Sequence, residues 1–89
     1  TGASVSEQAA LSRCVTLVDD EPSALDVLVR SARAFHFDCQ TARSAEEAIA
    51  LFEQNPTPLV VTDLRMPGLG GVWLVQEIKR RWPQTAVIV

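Results

Sequence analysis

Three short apolar runs govern what this chain can become. "CVTLV" (14–18), "LVVT" (59–62) and "TAVIV" (85–89) are β-branched and too short to be helices. Each reads as a buried strand, and "LVVT" is apolar enough to be buried on both faces. "FDCQT" (37–41) alternates as a further strand would. The stretches between them carry a different period. After "DDE", Pro22 suits the first turn of a helix, where its missing N–H costs nothing. Leu25, Leu28, Val29, Ala32, Phe35 and His36 then form a 3.6-residue stripe. "SAEE" (44–47) is a capping-box pattern, with Ser44 as the cap and Glu47 reaching back. The helix behind it puts Ala45, Ala48, Ile49 and Phe52 on one face, and "NPTP" (55–58) stops it. Gly68, Gly70 and Gly71 predict a loop. A third helix over about 72–82 buries Leu74, Val75 and Ile78, extends to Trp82, and ends at Pro83. The order is β-α-β-α-β-α-β. Strands alternating with helices join through right-handed crossovers, which predicts an α/β fold on a parallel sheet.

The 89 residues suffice for one small domain, and 47% hydrophobic residues can supply its core. A net charge of −3 argues against an electrostatic grip on nucleic acid. Residues 1–12 have neither the basic start nor the apolar run of a signal peptide, and read as a linker or tag remnant. No run is long enough to cross a membrane. Cys14 and Cys39 match no metal spacing and are too few for a disulfide scaffold. They read as buried thiols in a reducing compartment, the cytoplasm.

The chemistry lies at the ends of the strands. In an open parallel sheet, the functional crevice forms outside the carboxyl ends. Asp19 and Asp20 follow the first strand, and Asp63 follows the third, in "VTDLRMPG". If those strands are neighbours, three like charges converge, which is unfavourable unless a cation relieves it. A hard, oxygen-ligated ion such as Mg²⁺ suits such a group, and commonly shares its shell with a phosphate. Taken singly the acids have plainer readings: Asp63 as a turn former, Asp20 as a helix cap, Glu21 as an acid favoured by the helix dipole.

Together, "VDDE" after the first strand and "VTDLRMPGLGG" after the third resemble the receiver domain of two-component response regulators. "A-x-S-A-E-E-A" at 42–48 resembles the same family's entry to its second helix. The likeness runs over residues 13–89. It implies a flavodoxin-like, doubly wound parallel sheet with strands in the order two, one, three, four. It also implies that Asp63 is the phosphoacceptor, taking a phosphoryl group from a sensor histidine kinase. Asp20 would then ligate Mg²⁺ directly, Asp19 through a water, and the backbone carbonyl of Arg65 would complete the protein's share. Met66 and Pro67 match the family's loop. Such a domain promotes only its own phosphotransfer and passes the signal to an output domain or effector protein.

There are departures. The family commonly has an acid where Gly70 stands, away from the metal site, so the predicted effect is on loop order alone. The family's fourth strand ends in a phosphate-binding Ser or Thr and its fifth in a Lys, and this sequence stops before both. Lys79, in the third helix, cannot replace that Lys. The expectation is an incomplete receiver, lacking the last third, whose exposed fourth-strand edge invites self-association.

Rival readings are weaker. A phosphohydrolase with a strand-end Asp usually carries a second acid two residues on, where this chain has Arg65. A nucleotide-binding domain needs a glycine-rich loop after the first strand, and "DDEPSA" has none. A phosphorylation-independent, receiver-like interaction module is the serious alternative. "KRR" (79–81) reads as cations at a helix C-terminus rather than a nucleic-acid patch. His36 reads as a helix-end residue packed at the rim, not a relay histidine. Trp73 falls off the apolar stripe, so it either marks a partner surface or is partly covered by the loop.

Overall fold

A computed structural model describes residues 13–89, so the predicted linker at 1–12 lies outside the described residues. The seven predicted elements are all present. They are β1 (Cys14–Val18), α1 (Pro22–Ala34), β2 (Asp38–Ala42), α2 (Ala45–Gln54), β3 (Leu59–Thr62), α3 (Gly70–Arg81) and β4 (Ala86–Ile88). The four strands form one parallel sheet in the order β2-β1-β3-β4.

That order follows from the chain's own direction. The first crossover steps from β1 to β2 on one side. The second must jump back past β1 to reach β3, and the third continues outward to β4. With right-handed crossovers, reversing the step reverses the face on which the helix lies. So α1 covers one face, with Val15, Leu17 and Leu25 at its core. The other face holds α2 and α3 over Val18, Ala42, Phe52, Val60, Leu74 and Ile78.

The two faces differ in cover. One helix shields Leu59 and Val61, which are only half-buried, while Val60 on the opposite face is fully enclosed. Burial of "LVVT" on both faces is therefore incomplete. The α1 face keeps an apolar groove of about 220 Å³, lined by Val15, Leu17, Leu28, Phe35, Phe37 and Leu59 among others. On the α2 side, Phe52 meets Trp82 edge-on with centroids 4.7 Å apart. The Arg81 guanidinium lies over the same indole and pairs with Glu53 at 2.6 Å, tying α3 to α2.

Local differences from the sequence reading have local causes. Ser44 caps α2 by accepting the Glu47 N–H at 3.1 Å. α1 stops at Ala34, short of the predicted stripe. Phe35 is 73% exposed at the C-cap, and His36 takes a left-handed φ of 64°, turning the chain toward β2. His36 is exposed rather than packed at the rim. β2 begins one residue late because Phe37 belongs to that turn; its N–H returns to the Ala32 carbonyl. Cys14 and Cys39 are both half-buried, Cys39 on the edge strand β2 and Cys14 at the start of β1. Burial still pushes the Cys39 thiol above its ordinary value, with Asp38 and Cys14 adding and Arg33 opposing. Gly70 and Gly71 lie inside α3 rather than in the loop before it. Lys79, Arg80 and Arg81 occupy the last turn of α3, where cations are favoured. Lys79 also donates to the Thr85 carbonyl at 2.8 Å. Trp73 is half-buried against the core, and β4 is largely exposed.

One feature has no counterpart in the sequence reading. Thr16 is buried within β1, and its hydroxyl bonds the Thr57 hydroxyl at 2.8 Å. Gln40 donates to Thr16 and to the Asn55 carbonyl, and Thr85 donates to the Thr57 carbonyl. These bonds join all four strands or their approaches. Every buried side-chain polar atom among the described residues has a partner.

Candidate acidic site at the strand ends

The sheet reverses its winding between β1 and β3, and a crevice opens at such a switch point. Asp19 and Asp20 leave the end of β1; Asp63 leaves the end of β3. The register Val18↔Thr62 brings those two ends level. Carboxylate oxygens of Asp19, Asp20 and Asp63 lie within 4.8 Å of one another, and all three residues are half-buried. They are the only such metal-competent group among the described residues.

The backbone holds each position. The Asp63 N–H donates to the Val18 carbonyl at 3.2 Å, and the Asp19 N–H to the Ala42 carbonyl at 3.1 Å. Both acids then form tight side-chain turns. Asp63 Oδ1 accepts the Arg65 N–H at 2.9 Å, and Asp19 Oδ1 accepts the Glu21 N–H at 3.0 Å. In each case one oxygen is engaged by the acid's own turn and the other is left for the cluster. So Asp63 is indeed a turn former, and the turn is what aims it. Asp20 makes no side-chain hydrogen bond to the protein among the described residues. It is not the cap of α1: Glu21 holds that position, without a side-chain cap bond.

The ion pairs among the described residues, Arg30–Asp26, Arg80–Glu77 and Arg81–Glu53, all lie elsewhere. Three crowded carboxylates without an arginine or lysine partner form an all-oxygen, anionic donor set. That chemistry fits a hard divalent cation such as Mg²⁺. Met66, buried in the α2 side of the core, anchors the loop that follows Asp63. Gly68, with φ of 77°, bends that loop back, and Gly70, with φ of 78°, opens α3 so that its first turn lies beside Asp63.

A doubly wound parallel sheet with an acidic trio at its switch point is the architecture of a receiver-type signalling domain. The chain belongs to the response regulator receiver domain family, whose model matches residues 15–89. It is 41% identical over 75 residues to the hydrogenase transcriptional regulatory protein HoxA of Cupriavidus necator, covering 84% of this chain and 15% of that protein. It is 39% identical over 71 residues to the response regulator protein PilR of Pseudomonas aeruginosa, covering 80% and 16%. Among solved structures, the response regulator TrrA of Thermotoga maritima in complex with Mg²⁺-BeF superposes with a TM-score of 0.83 at 28% identity. That match covers 86% of this chain and 67% of TrrA. TrrA in complex with the histidine kinase ThkA matches with a TM-score of 0.79. The chain thus spans about 15% of the length of these curated relatives. No helix among the described residues is long and apolar enough to cross a membrane.

The sequence named Asp19, Asp20 and Asp63, and the fold brings all three together. Arg65 enters through its N–H, held against Asp63. The sequence reading placed Gly71 in a loop before the helix, so its close packing on Asp63 from the first turn of α3 had no counterpart there.

Proposed function

We propose that this chain is a phosphoacceptor in two-component signalling, with Asp63 receiving a phosphoryl group from the phosphohistidine of a sensor kinase. The observation that carries this reading is the convergence at the switch point of three carboxylates that none of the ion pairs among the described residues involves. The free oxygen of Asp63 attacks phosphorus in line, forming an O–P bond and an acyl phosphate. The P–N bond to the donor imidazole breaks, its electron pair leaves with the ring nitrogen, and that nitrogen takes a proton from water.

Asp19, Asp20, Asp63 and the backbone carbonyl of Arg65 would hold Mg²⁺, Asp20 directly and Asp19 through water. Bound there, the ion neutralises charge on the phosphoryl oxygens. The protein's own contribution is positioning. The Arg65 N–H keeps one Asp63 oxygen engaged, so the other faces the incoming phosphorus. The chain promotes its own phosphorylation and turns over no separate substrate. The names of the relatives point to a transcriptional output domain as the effector, in a cytoplasmic setting. In the 89-residue chain, where β4 pairs only with β3 among the described residues and Ile88 is 52% exposed, that edge would suit pairing with a second copy.

Incubation with a small phosphodonor and Mg²⁺, followed by intact mass, tests the reading. The wild-type chain should gain one phosphoryl group, and Asp63→Asn none. Labelling that persists in Asp63→Asn would overturn the assignment.

A further inference from the structure

The backbone of Asp63 is clasped at every polar atom, and a helix presses on it from behind. Its N–H is bonded to Val18 and its carbonyl accepts the Thr62 hydroxyl at 3.2 Å. Against that same carbonyl lies Gly71, in the first turn of α3. A Cβ at Gly71 would sit 2.1 Å from the Asp63 oxygen, 2.6 Å from the Leu64 Cα and 2.9 Å from the Asp63 carbonyl carbon. Those are distances that non-bonded atoms do not adopt. All three neighbours are backbone atoms, so no side chain can swing aside to make room.

Gly71 differs here from Gly68 and Gly70. Those two are required by their left-handed φ, and a Cβ on Gly70 would meet nothing closer than 4.0 Å. Gly71 has no left-handed φ; what its position demands is space. Any larger residue must push α3 away or push the Asp63–Leu64 peptide forward, toward the crevice. The peptide cannot move alone, because its carbonyl accepts the Thr62 hydroxyl, and Asp63 itself is held by its N–H bond to Val18 and its side-chain turn to Arg65.

We infer that Gly71 is a positioning residue for Asp63. By letting α3 rest directly on the acceptor's peptide, it sets how far the carboxylate projects toward Asp19 and Asp20. This rests on the metal-assisted acceptor reading above. A shift of a few tenths of an ångström in one ligand of a hard cation is costly, because its shell tolerates little error. The effect should resemble the loss of a partner that orients a metal ligand, roughly 10- to 100-fold in metal affinity.

The test compares Gly71→Ala with Phe52→Leu, a core change on the far helix that weakens the fold without touching the site. Mg²⁺ affinity is measured by titration followed by NMR, and folded fraction by circular dichroism. Phe52→Leu should lose stability and keep the wild-type affinity. Folded Gly71→Ala should bind Mg²⁺ roughly 10- to 100-fold more weakly and shift the Asp63 amide before any metal is added. Wild-type affinity in Gly71→Ala would overturn the inference. Should that variant not fold, the wild-type chain decides: the Gly71 amide should move with the same saturation curve as the Asp63 amide, and an unmoved Gly71 would overturn it. A wild-type chain that ignores Mg²⁺ refutes the metal reading itself, and this inference with it.

Discussion

At the scale of single residues, the site is three acids given different tasks by their neighbours. Asp19 and Asp63 each spend one oxygen on their own turn, whereas neither oxygen of Asp20 accepts a hydrogen bond among the described residues. Removing Asp20 should therefore leave the turns intact. It should also relieve repulsion within a trio that no arginine or lysine partners. Asp20→Ala is expected to raise the thermal midpoint of the metal-free chain and to abolish the Mg²⁺-induced NMR shifts. Unchanged Mg²⁺ binding would refute the assigned site. A midpoint that fell would mean that Asp20 has a structural role which its lack of partners does not suggest.

At the scale of elements, each helix is started and stopped by different means. Ser44 supplies a side-chain cap, Pro22 starts α1 without one, and α3 starts on two glycines. Only α2 thus depends on one side chain for its first turn. Its entry also fixes Ala45, which is fully buried beneath the sheet's carboxyl edge. Ser44→Ala should cost about 1 kcal/mol, measured by urea denaturation, because one N–H at the start of α2 loses its acceptor. The second half of the capping box is absent: Glu47 contributes its N–H but not its carboxylate. Glu47→Ala should accordingly change stability much less than Ser44→Ala in the same experiment.

At the scale of the whole molecule, the cover is lopsided. Among the described residues, two helices seal one face, one helix half-seals the other, and β4 presents an open edge. Small domains have little stability to spare, and apolar surface left in water subtracts from it. Pairing of two such 89-residue chains through β4 would cover the edge carrying Ile88. Light scattering on the purified 89-residue chain should show a mass that rises with concentration. A monomer at high concentration, with β4 amides protected from exchange, would refute this.

Much of this protein is legible along the chain. The β-α alternation, the Ser44 cap, the Pro22 start and the placing of Asp19, Asp20 and Asp63 after strands all rest on local periodicity and turn chemistry, which neighbouring residues carry between them. Errors at the element ends have the same origin. Phe35, His36 and Phe37 continue an apolar pattern that the backbone has already abandoned, because a left-handed turn at His36 leaves no periodic trace. The resemblance already implied the sheet order that makes three acids one site; what only the tertiary structure decided is how closely distant segments pack within it. The packing leaves Leu59 and Val61 under a single helix while Val60 is enclosed. It sets Thr16 beside Thr57 in a buried polar chain, and it lays Gly71 against the peptide of Asp63. A residue's type records the demands of its own turn or strand. How closely another part of the chain approaches it is settled by packing, and there the absence of a single Cβ at Gly71 allows α3 to rest against the peptide of Asp63.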